Sequence, residues 1–378
     1  MLAQNADYIL SQFNMPEIQD RNYWLVRTDS GIHYDDFIVN GYIAIGWDYI
    51  SKEIFAKKTK AEIKDLILEQ ERVSPTVDDD EDEDTQGRGL NGRVTAIYNK
   101  LNRFINEFSV GDVVIIPSKN TDRVSIGIIS GDLIEDSDYV SNYLNQNPTT
   151  EIRLCPYRKR RSVNWIKGIS KGQIDIYLAK AFSSHHAISD INEYADYINR
   201  ELYSVYRTTD SIHSIIRAGH PNGLSFTELK SLIDLLESSM KETAQATGIQ
   251  CDLSQLQVKL NIHSPGIIEF VTAIGGCGAV IAMTMFAWNN LKNGGKIKLN
   301  FQIGNYVNFS AEAETLGTAG RKNEAAAIEN DRQIKELTIT NAQAVREISH
   351  KLDMSIPKID LKSEILNIEA EHPVKESR

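Results

Sequence analysis

The stretch Asn22 to Asp48, NYWLVRTDSGIHYDDFIVNGYIAIGWD, constrains the fold of this chain more than any other. β-forming residues alternate with turn residues along it, and aromatic rings and charges sit at the strand ends. Two later pieces repeat the texture: GDVVIIPSKNTDRVSIGIISGDL (Gly111 to Leu133) and YRKRRSVNWI (Tyr157 to Ile166). Trp24, Trp47 and Trp165, three of the chain's four tryptophans, fall within these pieces. Together they predict one small strand-rich module whose strands close into a barrel, with rings and arginines suited to a pocket for a flat ligand.

Two helical insertions are expected inside this module, at about Lys58 to Glu71 and at Arg93 to Glu107, where Ile97, Leu101, Phe104 and Ile105 recur at helical spacing. Between them the unbroken acid run Asp78 to Asp84 repels itself and reads as a solvated loop. From Gln173 to about Gln245 the apolar period becomes helical, through Ile188, Ile191, Tyr194, Ala195, Ile198, Leu202 and Val205, and again through Leu229, Leu232, Ile233 and Leu236. Ser225 and Glu228 have capping-box spacing, which predicts a helix start there. The remainder suggests a β-helix-β unit: a strand at Leu256 to His263, an apolar helix over 267–291, and a strand at Lys296 to Ile303. An amphipathic helix over 323–352 follows, with Ile334, Leu337, Val345, Ile348 and Leu352 on one stripe. The expected class is therefore α+β, divided into a recognition domain (1–170), a helical connector (171–250) and a C-terminal effector or oligomerisation region (251–378).

A net charge of −11 and a pI near 5.3 argue against a protein that coats duplex DNA through its phosphates, since that requires a broad basic surface. Cys155, Cys251 and Cys277 are far apart and form no CxxC pair, so neither a zinc site nor a disulfide framework is indicated. A reducing cytoplasm fits that usage. The N-terminus has no basic stretch followed by an apolar core, so no secretory signal is expected.

With these residues laid out, the N-terminal part resembles the PUA-like superfamily, in particular the EVE-like and Mrr-N-terminal-like modules of modification-dependent restriction systems and other prokaryotic defence proteins. The matching pieces are WLVR (Trp24 to Arg27), YDDF before NGYIAIGWD, the GDVVIIPS and SIGIISGD strands, and RSVNWI (Arg161 to Ile166), covering roughly Asn22 to Ile169. The resemblance implies a barrel that holds an extruded modified base, or a nucleotide-like ligand, in an aromatic-lined pocket. Stacking on an aromatic face contributes about 1–3 kcal/mol per base. By residue type, Trp24, Trp47 and Trp165 are the stacking candidates. Arg27 and Arg161 suit a phosphate through a bidentate fork, and Asp35 and Asp48 suit an exocyclic amine. The plainer reading has the tryptophans filling the barrel core and the arginines pairing with nearby acids. The run Arg158 to Arg161 either steers a polyanion or forms a solvated strand edge, and strand alternation lets only about half of it face one ligand.

Motifs for catalysis are weak. Asp175 and Lys180 in GQIDIYLAK are a fragment of a nuclease site without its second acid, and the adjacent His185 and His186 make a poor metal site on a helix. No Walker loop and no GxSxG elbow occurs, so the chain reads as a non-enzymatic binding protein without cofactor or metal. Phe270 to Trp288 carries no charge and just reaches bilayer-spanning length, with small residues at Gly275, Ala279, Gly278 and Ala282. It is either a core or oligomer-interface helix or a membrane-inserting one. The sequence therefore leads to a cytoplasmic sensor in antiphage defence, self-associating through its C-terminal helices; a membrane-perturbing effector and a modification-dependent nuclease are the alternatives.

Overall fold

In the computed structural model, the described residues are 2–18, 20–73, 89–184, 186–218, 224–261, 266–292, 296–302, 309–314, 334–337 and 342–361. The acid run Asp78 to Asp84, His185 and most of 323–341 lie outside them. The protein is mixed α+β and divides into two compact units, Asp20–Leu202 and a discontinuous one made of Met1–Gln19 with Tyr203–Arg378.

The first unit is built on a curled seven-stranded sheet. Its strands are β1 (Tyr23–Val26), β2 (Tyr42–Ile45), β3 (Val113–Pro117), β4 (Arg123–Ile129), β5 (Lys159–Ser170) and β6 (Ile188–Asp190), in the order β2-β5-β4-β3-β1-β6, with the short strand Ile134–Glu135 also on β5. The β1–β3 pairing is parallel and the others are antiparallel. Strand alternation sends the apolar residues of β1 and β3 to two different cores. Trp24, Val26, Val114 and Ile116 join the helices Lys60–Val73 and Leu90–Asn102 on one face, while Tyr23, Leu25, Val113 and Ile115 meet Ile198 on the other. Both strands are consequently apolar at every position, the pattern of strands covered on both faces.

The curl originates in β5. Its first residues, Lys159 to Ser162, pair with β2, whereas Val163 to Ser170 pair with β4 across a bulge between Ile126 and Gly127. Gly127 is required there: a Cβ would lie 2.5 Å from Val163 and 2.7 Å from the Trp165 ring. Both expected helical insertions are present, and the second ends in a π turn, Arg103–Glu107. The unit closes at Leu202 instead of near residue 170, because β6 completes the sheet beside β1 and the helix Ala195–Leu202 covers the second core.

The second unit carries an antiparallel sheet of β7 (Val205–Arg207), β8 (Ser211–Ala218), β9 (Gln257–Asn261) and β10 (Gly266–Ala273), in which β8 pairs with β7, β10 and the short strand Met354–Ser355. One large core gathers residues of the helices Leu2–Gln12, Phe226–Thr247, Gly276–Lys292 and Ala342–Lys351. The helical connector expected over 171–250 is thus corrected. Ile198 and Leu202 lie in the helix Ala195–Leu202 and Leu229, Leu232, Ile233 and Leu236 in Phe226–Thr247, but the β-branched Ile188 and Val205 lie in strands, and Ser211–Ala218 between the two helices is a strand as well.

The apolar helix expected over 267–291 is also two elements. The β-formers IIEFVT lie in β10 and pair with β8 along its whole length; Gly275, at φ +132°, breaks the chain, and the helix begins at Gly276. That helix is buried on all sides, with the Trp288 Nε1–H donating to Ser239 Oγ at 3.0 Å and the Thr284 hydroxyl donating to Thr243 Oγ1 at 3.2 Å. No helix among the described residues is long and apolar enough to cross a membrane. Of the helix expected over 323–352, the described residues show a helix at Ala342–Lys351 and a strand at Ile334–Leu337. Cys251 and Cys277, distant in sequence, are joined in a disulfide because the loop after Phe226–Thr247 returns to the start of Gly276–Lys292. This corrects the expectation of unpaired cysteines.

The capping box stands as read from the sequence. The Ser225 hydroxyl accepts from the Glu228 amide, and the Glu228 carboxylate accepts from the Ser225 amide at 3.0 Å. The Ser225 amide and hydroxyl, with Lys351, hold the Glu228 carboxyl down to about 2. Stability from this lowered group is present above pH 4.5 and is lost as pH falls toward 2. Ser225→Ala is expected to cost about 1 kcal/mol, read as a lower urea midpoint at unchanged slope.

Candidate functional site

The run Arg158 to Arg161 leads into β5, which opens at Lys159, and three of its four cations are inside the protein: Lys159, Arg160 and Arg161 are 1%, 2% and 4% exposed. Neither a solvated edge nor a polyanion patch describes them. Alternation sends Lys159 and Arg161 to one face and Arg160 to the other, and each cation meets a different irregular segment. Lys159 Nζ donates to the Trp47 carbonyl at 3.0 Å and to Asp48 Oδ1 at 3.1 Å. Arg160 donates to the carbonyls of Tyr157 (2.9 Å) and Cys155 (2.8 Å), with its guanidinium 3.5 Å from the Tyr139 ring centre and 4.6 Å from that of Tyr42. Arg161 donates to Phe104 O (3.0 Å) and Ile105 O (3.1 Å), carbonyls of the π turn where the helix ladder ends.

Burial lowers the Lys159 ammonium below its ordinary range, opposed chiefly by Asp48, and it lowers Arg161 likewise, opposed by Asp132 and Asp112. On the Arg160 face, Asp36 is fully buried and accepts from the Cys155 amide (2.6 Å), Asn40 Nδ2 (2.7 Å) and the Tyr42 hydroxyl. Burial, and then that bond to Asp36, push the Tyr42 phenol upward. Beside it, His33 is held below its ordinary value by burial, against the pull of Asp29 and Asp36, and its Nδ1 has no partner among the described residues.

The predicted site residues have distinct fates. The Trp24 indole stacks on Phe108 at 4.5 Å and donates to Asp112 Oδ2 at 2.8 Å, which makes it a core anchor. The half-buried Trp165 donates to Phe37 O at 2.7 Å and lies over Gly127. The Arg27 guanidinium fastens the 182–184 segment through the carbonyls of Phe182 and Ser184, while Asp35 is exposed on the first turn of Tyr34–Asn40. Asp48 accepts from Lys159 and from the Arg158 amide at 3.2 Å. Of the seven, Trp47, Asp48 and Arg161 are linked to the cationic run, the first two through Lys159. Trp24, Trp165 and Arg27 have their donors satisfied elsewhere.

Trp47 is the exception among the indoles. It is 9% exposed, its backbone is left-handed at φ +55°, and its Nε1–H is buried with no acceptor among the described residues. The Lys100 ammonium lies 5.5 Å from its ring centre and Lys159 holds its carbonyl. Sequence reading missed Lys100, Lys159, Arg160, Tyr42, Tyr139, Asp36 and His33. Two of them stand in the basic run, but nothing local marks that run as interior.

Asp175, the nuclease candidate, pairs with Arg200 and caps the amides of Tyr177 and Leu178, so it is a structural acid. Among the described residues no group of His, Cys, Asp and Glu could hold a metal ion.

Comparison with known proteins adds one result to this geometry. Residues 23–189 match the model of a family described as a domain of unknown function, DUF8426. The match opens at the first residue of β1 and closes inside β6, so it coincides with the sheet. No curated protein and no solved structure matches the chain.

Two outcomes follow. Arg161→Met is expected to destabilise the first unit by about 2–6 kcal/mol, at about 1–3 for each of the two orphaned carbonyls, read as a lower melting temperature. Burial pushes the Cys155 thiol up to about 12. At pH 8 it is expected to ignore a disulfide reagent in the native chain and to react at once in denaturant.

Proposed function

We propose that Asp20–Leu202 is a PUA-like recognition module that binds a modified base or nucleotide-like ligand, and that the chain is a sensor coupling occupancy to its C-terminal region. The observation that carries this reading is Trp47. A buried indole N–H without an acceptor costs about 1–3 kcal/mol, and a non-glycine residue at positive φ adds a cost of similar order. Phenylalanine would bury an aromatic ring there without the first cost. A ligand carbonyl or ring nitrogen that accepts the N–H accounts for its retention, and strained backbone is concentrated at such sites.

Around Trp47 the chemistry suits a base. Asp48 is positioned by Lys159 to accept from an exocyclic amine, and Lys100 supplies a cation beside the ring. The curled sheet and the resemblance of its strand pieces support the PUA-like reading, and antiphage defence follows from that resemblance alone. The succession Gly266–Ala273, Gly276–Lys292 and Lys296–Gln302 supports a strand-helix-strand unit as the assembly or effector part, with a second copy of the chain as its partner.

The test is a tryptophan-fluorescence titration with a panel of nucleotides and short single strands bearing modified bases. Trp47→Phe is expected to weaken binding at least tenfold while the chain stays folded at the assay temperature, whereas Trp24→Phe lowers stability and leaves affinity as it was. Equal affinity in Trp47→Phe and the parent would reject the site.

A further inference from the structure

The hairpin of β7 and β8 carries a second polar constellation that the recognition reading does not use. Ser211 and His213 are two apart on β8 and therefore share a face. In the β8–β10 register Glu269 lies opposite Ile215, one diagonal step from His213. Three side chains from two strands are thereby set in line. His213 Nδ1 is 2.7 Å from Glu269 Oε1, and His213 Nε2 is 3.1 Å from Ser211 Oγ.

With Nδ1 protonated toward the Glu269 carboxylate, Nε2 is left to accept the Ser211 hydroxyl proton. The imidazole is fixed from a third side by Tyr206, whose ring stacks on it at 4.4 Å and 10°. Burial is graded along the line: Glu269 is fully buried, His213 is 5% exposed, and Ser211 is half-exposed beside the exposed Thr209 and Asp210 of the hairpin tip. A structural His–Glu pair would need no hydroxyl on its solvent side.

We propose that Ser211, His213 and Glu269 form an acyl-transfer site that takes a carboxylic ester, Ser211 being the nucleophile, His213 the base and Glu269 the positioning residue. A nucleophile in hydrogen-bond reach of a base that is itself oriented by a third group is the arrangement this chemistry requires. Ser211 Oγ bonds to the acyl carbon while its proton passes to His213 Nε2. The ester C–O bond then breaks and the leaving alkoxide takes that proton. Water attacks the acyl-serine, giving a proton to Nε2 that returns to Ser211 Oγ as the acid departs. Thr208 Oγ1 lies 2.7 Å from Ser211 Oγ and donates to Asp210 Oδ1 at 2.9 Å, which fixes the hairpin tip beside the nucleophile. The nucleophile stands on a strand at a hairpin, which is why no elbow motif announces it.

The experiment treats the full chain with a fluorophosphonate probe at neutral pH and maps the adduct by peptide mass. A single adduct on Ser211, absent from heat-denatured chain and from Ser211→Ala, is expected, together with hydrolysis of p-nitrophenyl butyrate that the same substitution lowers at least a hundredfold. Glu269→Gln is expected to slow labelling tenfold or more, and Glu269→Asp to restore it to within a few fold. No adduct on folded parent protein, an adduct on another serine, or ester hydrolysis that survives Ser211→Ala would overturn the proposal. Equal labelling rates for Glu269→Gln and the parent would remove Glu269 from it.

Discussion

Everything in the first unit depends on holding three consecutive cations inside a sheet. Lys159, Arg160 and Arg161 cannot be buried unpaired, because the desolvation of each ion costs several kcal/mol. The fold answers largely with backbone carbonyls, taken from the Trp47 turn, the Cys155 to Tyr157 connection and the π turn after Leu90–Asn102. These are the segments with no ladder of their own to satisfy them. The charges therefore act as fasteners between regular and irregular backbone, and the curl of β5 is what distributes them to both faces of the sheet.

The same arrangement locates the candidate ligand site. Trp47 occupies a strained turn whose carbonyl is held by Lys159 and whose next residue, Asp48, completes that ion pair. A turn fixed in this way has little freedom to relax toward an acceptor. Pre-organisation of this kind lowers the ordering cost of binding. Asp36 plays the corresponding part on the opposite face, where a single buried carboxylate ties Asn40, Tyr42 and Cys155 together.

Much of this was legible in the residues, and the failures have definite causes. The strand pieces around Trp24, Val113 and Val163, both helical insertions and the Ser225 cap follow from local rules that tertiary contacts did not override. The strand Ser211–Ala218 fell inside a segment expected to be helical because the series ending at Val205 and the one beginning at Leu229 flank it, although Ile188 and Val205 themselves lie in strands. The segment 267–291 looked continuous because Phe270 to Trp288 carries no charge and Gly275 was taken for a small helix-packing residue, whereas it divides strand from helix. Burial of the basic run was unreadable for a different reason. The carbonyls that hold Lys159 and Arg161 come from residues 56 to 112 positions away, and no local pattern encodes a carbonyl.

The second unit is assembled from both ends of the described chain. The helix Leu2–Gln12 buries Ala6, Ile9 and Leu10, and the Phe13 that follows it sits 5.8 Å from Phe286, so its apolar face is completed only by a helix that begins at Gly276. During synthesis the intervening Asp20–Leu202 emerges whole and has all its own strands to hand, whereas the N-terminal helix must wait with its apolar stripe exposed. Between these two elements the order of emergence from the ribosome is thus the reverse of the order of completion: the helix Leu2–Gln12 is made before Asp20–Leu202 and finds its partner after it, and the inserted unit matures while the helix waits.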